Sequence, residues 1–142
     1  MREENAGKAG AETLVELFRQ AMKRAKGNQF NYKRGSQWVA VSTREVEEKV
    51  RHVAMGLDAI GVGVESRVGL LSENRVEWIY AVLAAVNLGA ADVPIYPTHA
   101  PKQVSYILND AGVEVLFIST AAQYERIRGA LAECPRLRTL IS

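Results

Sequence analysis

The stretch that decides the fold runs from Ser72 to Gly112 and reads SENRVEWIYAVLAAVNLGAADVPIYPTHAPKQVSYILNDAG. An apolar helical run follows SENRVEW, a short strand ends in YPT, and a second helical pattern closes on Gly112. Polar and turn-forming residues therefore stand where strands hand over to helices, which is where open α/β sheets build their sites. Alternating strands and helices predict parallel βαβ units with right-handed crossovers.

Four apolar segments are predicted as the strands of this parallel sheet. Each is short and bounded by turn or capping residues, as buried strands are. They are Val68–Leu71, Ala91–Ile95, Val113–Ile118 and Arg138–Ile141. Because the chain ends inside the last of them, we expect it to be a fragment or a truncated form of a larger protein.

A small hairpin is predicted upstream of the sheet. Residues Gln29–Lys33 and Gln37–Val41 read as two strands around the three-residue, glycine-containing turn 34–36. Residues 1–12 are charged and glycine-containing, and we expect a disordered tail there. Residues 13–142 are predicted to form one incomplete domain.

Helix boundaries follow from capping chemistry. Ser or Thr followed three residues later by Glu forms a capping box, and Asn can take the same place. The predicted starts are Thr13 with Glu16, Ser42 with Glu45, Asn74 with Glu77, Pro101, and Ser119 or Thr120, the last helix running to about Glu133. Glycines that accept a left-handed conformation are predicted to end helices at Gly61, Gly89 and Gly112.

Composition indicates an ordinary globular protein. The chain has 142 residues, 48% of them apolar, with a net charge of +2. The eight lysines and arginines before Gly35 do not form one stripe with interleaved aromatics, so nucleic acid is not an expected partner. The N-terminus lacks the apolar segment of a signal peptide, and no apolar run is long enough to span a bilayer. The single Cys134 cannot form an internal disulfide, which favours the cytoplasm, and it is interpreted as a packed or surface thiol.

The sequence lacks the motifs that would indicate a nucleotide-binding, metal-binding or catalytic site. Gly61 and Gly63 precede a strand and lack the third glycine, Ser66 standing there, so a dinucleotide fingerprint is excluded. No Walker-type phosphate loop occurs. His52 is interpreted as structural and His99 as a solvated loop residue, since neither has a metal-ligand partner at suitable spacing.

Three further polar groups are interpreted as structural. Asp110 and Glu114 flank a helix end, where capping and exposed edge positions are favoured over a paired acid and base. Residues 72–74 form a tight loop with a helix cap, and residues 96–98 form a proline-stiffened connection. Neither loop offers a nucleophile with a base.

The ordered blocks LLSENRVEW, NLGAADVPIYPT and QVSYILNDAGVEVLFIS resemble the N-terminal part of AMP-forming acyl-CoA synthetases. They are most similar to the long-chain fatty acid–CoA ligases of the adenylate-forming superfamily. The resemblance extends upstream to almost the whole chain, through the segment TLVELF, the hairpin with Trp38 and the segment STREVEEKVRHVAMGLDAIGVGVESRVGLL. The implied fold is an incomplete part of the large N-terminal domain of these enzymes, with parallel βαβ sheet, flanking helices and hairpin.

The resemblance implies a two-step reaction. A fatty acid carboxylate attacks the α-phosphate of Mg-ATP to give an acyl-adenylate, and CoA then displaces AMP to give the thioester. The parent enzyme thus uses ATP, Mg²⁺ and CoA, whereas this fragment is expected to bind none of them. The family's Ser/Thr/Gly-rich loop ending in Pro-Lys-Gly does not occur here. No catalytic, cofactor-binding or metal-binding residue is therefore assigned, and the fragment is predicted to be inactive.

One departure from the family pattern concerns a helix cap. The family often has Ser or Thr before the helix-starting proline, and here Ala100 stands there. Losing such a cap costs typically about 1 kcal/mol, which a neighbouring side chain can partly offset.

Two alternatives stay open. The chain could belong to another adenylate-forming ligase, specific for aryl or short-chain acids or loading a carrier protein. It could instead be a non-catalytic α/β interaction module with a polar surface. Expected partners are the remainder of the parent chain, the fatty acid in the full enzyme, and a second copy through exposed apolar surface, with peripheral membrane contact also compatible with the composition.

Overall fold

A computed structural model describes residues 11–142 of the chain. The helices are α1 Leu14–Met22, α2 Thr43–Ala59, α3 Val76–Asn87, α4 Pro101–Ala111 and α5 Ala121–Leu131. The strands are β1 Phe30–Arg34, β2 Gln37–Val41, β3 Arg67–Leu71, β4 Ala91–Ile95, β5 Val115–Ile118 and β6 Thr139–Ile141. The predicted tail, residues 1–12, lies almost wholly outside the described residues.

The sheet is parallel, with strand order β4-β3-β5-β6. β3 is central, and it pairs with β4 on one side and β5 on the other. β1 and β2 form a separate antiparallel hairpin. The predicted fold class, a parallel βαβ sheet with flanking helices and a small hairpin, is confirmed.

Alternating side chains of the strands divide the core into two layers, because successive residues of a strand point to opposite faces. On one face, Val68 and Val115 are fully buried with Val46 of α2 and Ala84 of α3. On the other face, a second set packs under α4 and α5. Its fully buried members are Leu108, Leu116, Val104 and Ile127, with Leu71 and Ile95 at the strand ends.

Helix α3 lies against α2, α1 and the sheet. Its buried side chains are mostly small, with Ala81, Ala84 and Ala85 packed beside Tyr80. Small side chains allow two layers to approach α3 at once. This burial between layers accounts for the mostly apolar sequence of α3.

Several predicted caps are present. Ser42 and Glu45 form a reciprocal capping box, with the Ser42 N–H donating to Glu45 Oε2 at 2.8 Å. Thr120, not Ser119, caps α5 by accepting from the Gln123 N–H at 3.2 Å. At Ala100, which has no capping side chain, the Gln103 carboxamide oxygen accepts the Ala100 N–H at 2.9 Å. This hydrogen bond from a neighbouring side chain is the expected partial offset for the missing Ser or Thr cap.

The hairpin turn, the start of β5 and the end of α5 differ from the predictions. Arg34 pairs with Gln37, so the turn has two residues, not three, and Gly35 supplies its positive φ of 61°. β5 begins two residues late because the Val113 N–H donates back to Leu108 O at 2.8 Å, which ends α4. α5 ends at Leu131, before the predicted Glu133.

The predicted cap of α3 at Asn74 is wrong. The helix begins at Val76, and Arg75 occupies the capping position with extended backbone and no side-chain capping bond. The Arg75 guanidinium instead reaches the carbonyl oxygen of Ser119 at 3.1 Å. This contact holds Arg75 outside the helix and delays the first turn by one residue.

Candidate functional site

The strand order creates a switch point at the carboxyl ends of β3 and β5. The chain leaves β3 towards β4 on one side and later crosses to β5 on the other. Open α/β sheets bind ligands in the crevice that such a reversal opens. Here the Ser119 N–H donates to Leu71 O at 3.1 Å, which joins the two strand ends. This crevice is the candidate functional site.

Glu73, in the loop after β3, ties that loop to the start of α5. Its carboxylate accepts from Ser119 Oγ at 2.5 Å and from Gln123 Nε2 at 3.0 Å. These two hydrogen bonds, the Ser119 bond first, lower the pKa of Glu73 below the ordinary value of a glutamate. The carboxylate therefore stays ionised and acts as a cross-link between two loops.

Arg75 forms a second tie across the same crevice. Besides the Ser119 carbonyl, its guanidinium binds Glu77 Oε2 at 2.9 Å. That bond raises the pKa of Arg75 and lowers the pKa of Glu77. Both side chains are well exposed, so the ion pair orients the rim more than it stabilises the fold.

Below this polar rim lies an apolar cavity of about 170 Å³. Its floor comes from the sheet and its wall from α3. The apolar lining residues are Leu70, Trp78, Ala81, Phe117, Ile118 and Ile141. Ser72, Arg75, Glu77 and Ser119 stand at its polar side. An apolar floor under a few oriented polar groups is the general pattern of a small-molecule pocket.

A larger groove of about 490 Å³ continues from this cavity towards the hairpin. Phe117 and Ile141 line both spaces. Both residues lie on the sheet face that packs against α2 and α3, and they are only partly buried. Among the described residues, this face is thus left partly open at Phe117 and Ile141, whereas Val115 of β5 is fully buried.

The loop after β4 is held by a different side chain. The Arg126 guanidinium of α5 donates to the carbonyl oxygens of Pro97, at 2.6 Å, and His99. It also donates to Gln123 Oε1, the residue whose amide binds Glu73. One continuous set of hydrogen bonds therefore links the loops after β3, β4 and β5.

These hydrogen bonds fix the geometry of the three loops. Within residues 11–142, no cluster of three or more His, Cys, Asp or Glu side chains is placed to hold a metal ion. The hydroxyl of Ser119 donates to a carboxylate, and no histidine stands with it as a base. In the same part of the chain, no helix is long and apolar enough to cross a membrane.

The structure places the remaining predicted residues apart from the crevice. His52, interpreted as structural, is exposed on α2. His99 is half-buried with its ring 5.6 Å from that of Tyr96, and it is less solvated than predicted. Asp110 is exposed on α4, while Glu114 binds Arg138 at 3.4 Å. The interpretation of the two acids as edge groups is consistent with these positions.

Cys134 is a packed thiol, the first of the two positions predicted for it, and not a surface thiol. It is 6% exposed, and burial raises the pKa of the thiol. Its Sγ lies 3.6 Å from the carbonyl oxygen of Ala130. A neutral, buried thiol is a poor nucleophile.

Sequence reasoning missed the roles of Glu73, Arg75 and Arg126. Each makes its key contact with a residue about 30 to 50 positions away along the chain. No local periodicity or motif carries that information. The signal was the strand order, which brings the loops to one edge and was not deduced from the sequence.

Comparison with known proteins decides the family. A sequence profile described as "AMP-binding enzyme" matches residues 17–142. The chain belongs to the AMP-binding enzyme family. Its members with similar sequences include FadD15 of Mycobacterium bovis, named a long-chain-fatty-acid–CoA ligase. Identity to FadD15 is 33% over 104 residues, which cover 73% of this chain and 17% of that protein.

Two further proteins are similar to this chain. A linear gramicidin synthase from Brevibacillus parabrevis is 41% identical over 76 residues, or 54% of this chain and 2% of that protein. Among solved structures, the N-terminal domain of FACL13 from Mycobacterium tuberculosis superposes with a TM-score of 0.79 and 27% identity. That match covers 92% of this chain and 34% of the other. The chain therefore spans less than a fifth of the first of these relatives, and it matches part of an adenylate-forming acyl-CoA ligase.

Proposed function

We propose that residues 13–142 are the N-terminal part of a long-chain fatty acid–CoA ligase that forms AMP. The observation that carries this proposal is the 33% identity to a long-chain-fatty-acid–CoA ligase over 73% of the chain. The strand order and crevice of a family domain support it. The full protein would join a fatty acid to CoA with ATP and Mg²⁺ and release AMP and pyrophosphate.

Within that protein, the role of this part is structural: it forms one side of the large domain. The described residues do not fit Mg-ATP, because they supply neither a phosphate-binding loop nor a group of carboxylates for a metal. No catalytic step is assigned to them. The linked loops after β3, β4 and β5 and the open groove instead present a shaped surface to the rest of the parent chain.

A reducing, cytoplasmic setting is proposed with this function. The support is the single cysteine, which is buried and free within the described residues.

Two measurements test the proposal. Sequencing the transcript beyond the codon for Ser142 should show a Ser/Thr/Gly-rich loop that ends in Pro-Lys-Gly. The purified 142-residue chain should give no fatty-acid-dependent ATP–pyrophosphate exchange above a buffer control, whereas the full-length protein should give it. Exchange by the 142-residue chain alone contradicts the role assigned here.

A second candidate function is loading of a carrier protein. The 41% identity to a gramicidin synthase favours it, although over a shorter part of the chain. A panel of acids separates the two functions. Exchange by the full-length protein with palmitate and not with amino acids supports the fatty acid ligase, and the reverse supports carrier loading.

A further inference from the structure

The groove that continues towards the hairpin lies between α2, α3, the strand β2 and the carboxyl ends of β5 and β6. We call it the β5–β6 groove. Phe117 and Ile141 form its apolar floor on the sheet. Helix α2 presents Glu45, Lys49 and Val53 to it, at the spacing of one helical face. An apolar floor with charges of both signs at the rim suits an amphipathic protein segment.

A buried tyrosine in this groove lacks a partner. Tyr80 of α3 is 8% exposed and lines the groove. No hydrogen bond joins its hydroxyl to another group of residues 11–142, and the oxygen is not sealed from solvent. Burial, and then the charges of Glu77 and Glu45 at the same groove, raise the pKa of this hydroxyl. A buried tyrosine hydroxyl usually finds a hydrogen-bond partner, so we expect an occupant of the groove to supply one.

The direction of the crossovers determines which face of the sheet each helix covers. Because parallel strands are joined by right-handed crossovers, steps in opposite directions across the sheet place their helices on opposite faces. The step from β3 to β4 carries α3 on the face of the groove. The steps in the other direction, to β5 and then to β6, carry α4 and α5 on the far face.

A further strand beside β6 would continue in the direction of these last two steps. Its crossover would lie on the far face, beside α5, and would leave the β5–β6 groove open. A further strand beside β4 is disfavoured, because Pro94 within that edge strand has no N–H to donate. Parallel sheets are nevertheless covered on both faces. The missing cover therefore comes from outside the next strand and helix of this sheet.

We propose that the β5–β6 groove is covered by a segment of the parent chain that lies beyond the first strand-and-crossover unit after Ser142. This inference rests on the proposed function, under which a longer chain follows. A relative such as FadD15 has the length for it, since the matched part is 17% of that protein. The segment packs apolar side chains on Phe117 and Ile141, and it places a carbonyl oxygen or another acceptor at the Tyr80 hydroxyl.

Photo-cross-linking in the full-length protein tests this assignment. Benzoylphenylalanine replaces Phe117 in the groove, and mass spectrometry identifies the peptide that it captures. A strand with its crossover takes about 30 residues or more, so we expect the captured peptide to lie more than about 40 residues beyond Ser142. The matched control carries the probe at Tyr124, on the far face beside Leu140, and should capture the first unit after Ser142. Val39, which also lines the groove, takes the probe if the Phe117 variant does not fold.

Cysteine labelling gives a second readout. Ile141→Cys in a Cys134→Ser background should be labelled at least about tenfold more slowly in the full-length protein than in the 142-residue chain, because only the longer protein covers the groove. Mass spectrometry follows the peptide that contains residue 141 in both proteins. After unfolding in urea, the two labelling rates should be equal.

Several results would overturn the proposal. They are capture at position 117 of a peptide from the first unit after Ser142, of a second copy or of nothing, and equal labelling rates in the two folded proteins. Fatty-acid-dependent ATP–pyrophosphate exchange is measured separately on the unmodified full-length protein. Exchange without the expected capture contradicts this inference alone, whereas the expected capture without exchange contradicts only the ligase assignment.

Discussion

The hydroxyl of Ser119, just after β5, donates a 2.5 Å hydrogen bond to the carboxylate of Glu73, just after β3. These two residues join the loops on either side of the switch point. The bond is charge-assisted and short, as such bonds are. It adds an ionised carboxylate to the backbone hydrogen bond from Ser119 to Leu71 that already joins the two strand ends.

Replacing Glu73 with Gln should lower the free energy of unfolding by about 1 kcal/mol. The substitution keeps the size of the side chain and removes the charge that strengthens both hydrogen bonds, and the exposed position keeps the effect small. Urea unfolding measures it. Glu48→Gln on α2 is the matched control, because Glu48 is exposed and its replacement should change the unfolding free energy by less than about 0.5 kcal/mol.

The effect of Glu73→Gln should also depend on pH. The pKa of Glu73 is lowered in the folded state, so its contribution is fully present above the ordinary glutamate pKa, near 4.5. It is lost as the pH falls below that value through the folded-state pKa. Unfolding curves of the two proteins should therefore converge in acid. A difference that grows on acidification contradicts this account.

Gly69→Ala should destabilise the fold by about 1–3 kcal/mol through overpacking. A Cβ at Gly69, in the centre of β3, meets Leu116 Cδ1 at 2.9 Å and Val113 Cγ1 at 3.0 Å. Gly129→Ala in α5 is the opposite control, since nothing lies within 4 Å of its Cβ. It should stabilise the helix by up to about 1 kcal/mol. Thermal unfolding of both variants checks the sign of each change.

Cys134 should react slowly with a thiol reagent in the folded protein. The side chain is buried and its thiol pKa is raised by that burial, so the reactive thiolate is scarce. Labelling should accelerate at least about tenfold in denaturing urea, where the thiol is exposed. Because the chain has a single cysteine, the colorimetric signal belongs to this site. Equal rates in both conditions would show that Cys134 is accessible.

The 142-residue chain should associate with itself through its open edge. β6 is one of the two outer strands of the described sheet and Leu140 on it is 44% exposed, which leaves backbone groups and apolar surface for a second copy. Light scattering should show an average molecular mass that rises with protein concentration. The Leu140→Lys substitution should lower that mass. Met55→Lys on α2, also at an exposed position (61%), should leave it unchanged. A monodisperse monomer favours a self-contained interaction module.

The sequence predicted the elements well where local chemistry sets them. The capping box of Ser42 and Glu45 and the left-handed helix end at Gly112 form their hydrogen bonds within one helical turn. Local sequence therefore predicts them. The start of α3 was misplaced because a distant carbonyl, that of Ser119, holds Arg75 outside the helix. The crevice escaped prediction for the same reason, since strand order and not residue type brings Glu73 to Ser119.

The central position of β3 has a consequence for synthesis of the chain. Both neighbours of β3 come later in the sequence, and Leu70 meets its partner Phe117 only about 50 residues further on. At translation rates of about 5–20 residues per second, one edge of β3 waits roughly 2–10 s for that partner. During this interval the nascent chain carries an apolar strand with unpaired backbone groups, a natural point for a chaperone to engage.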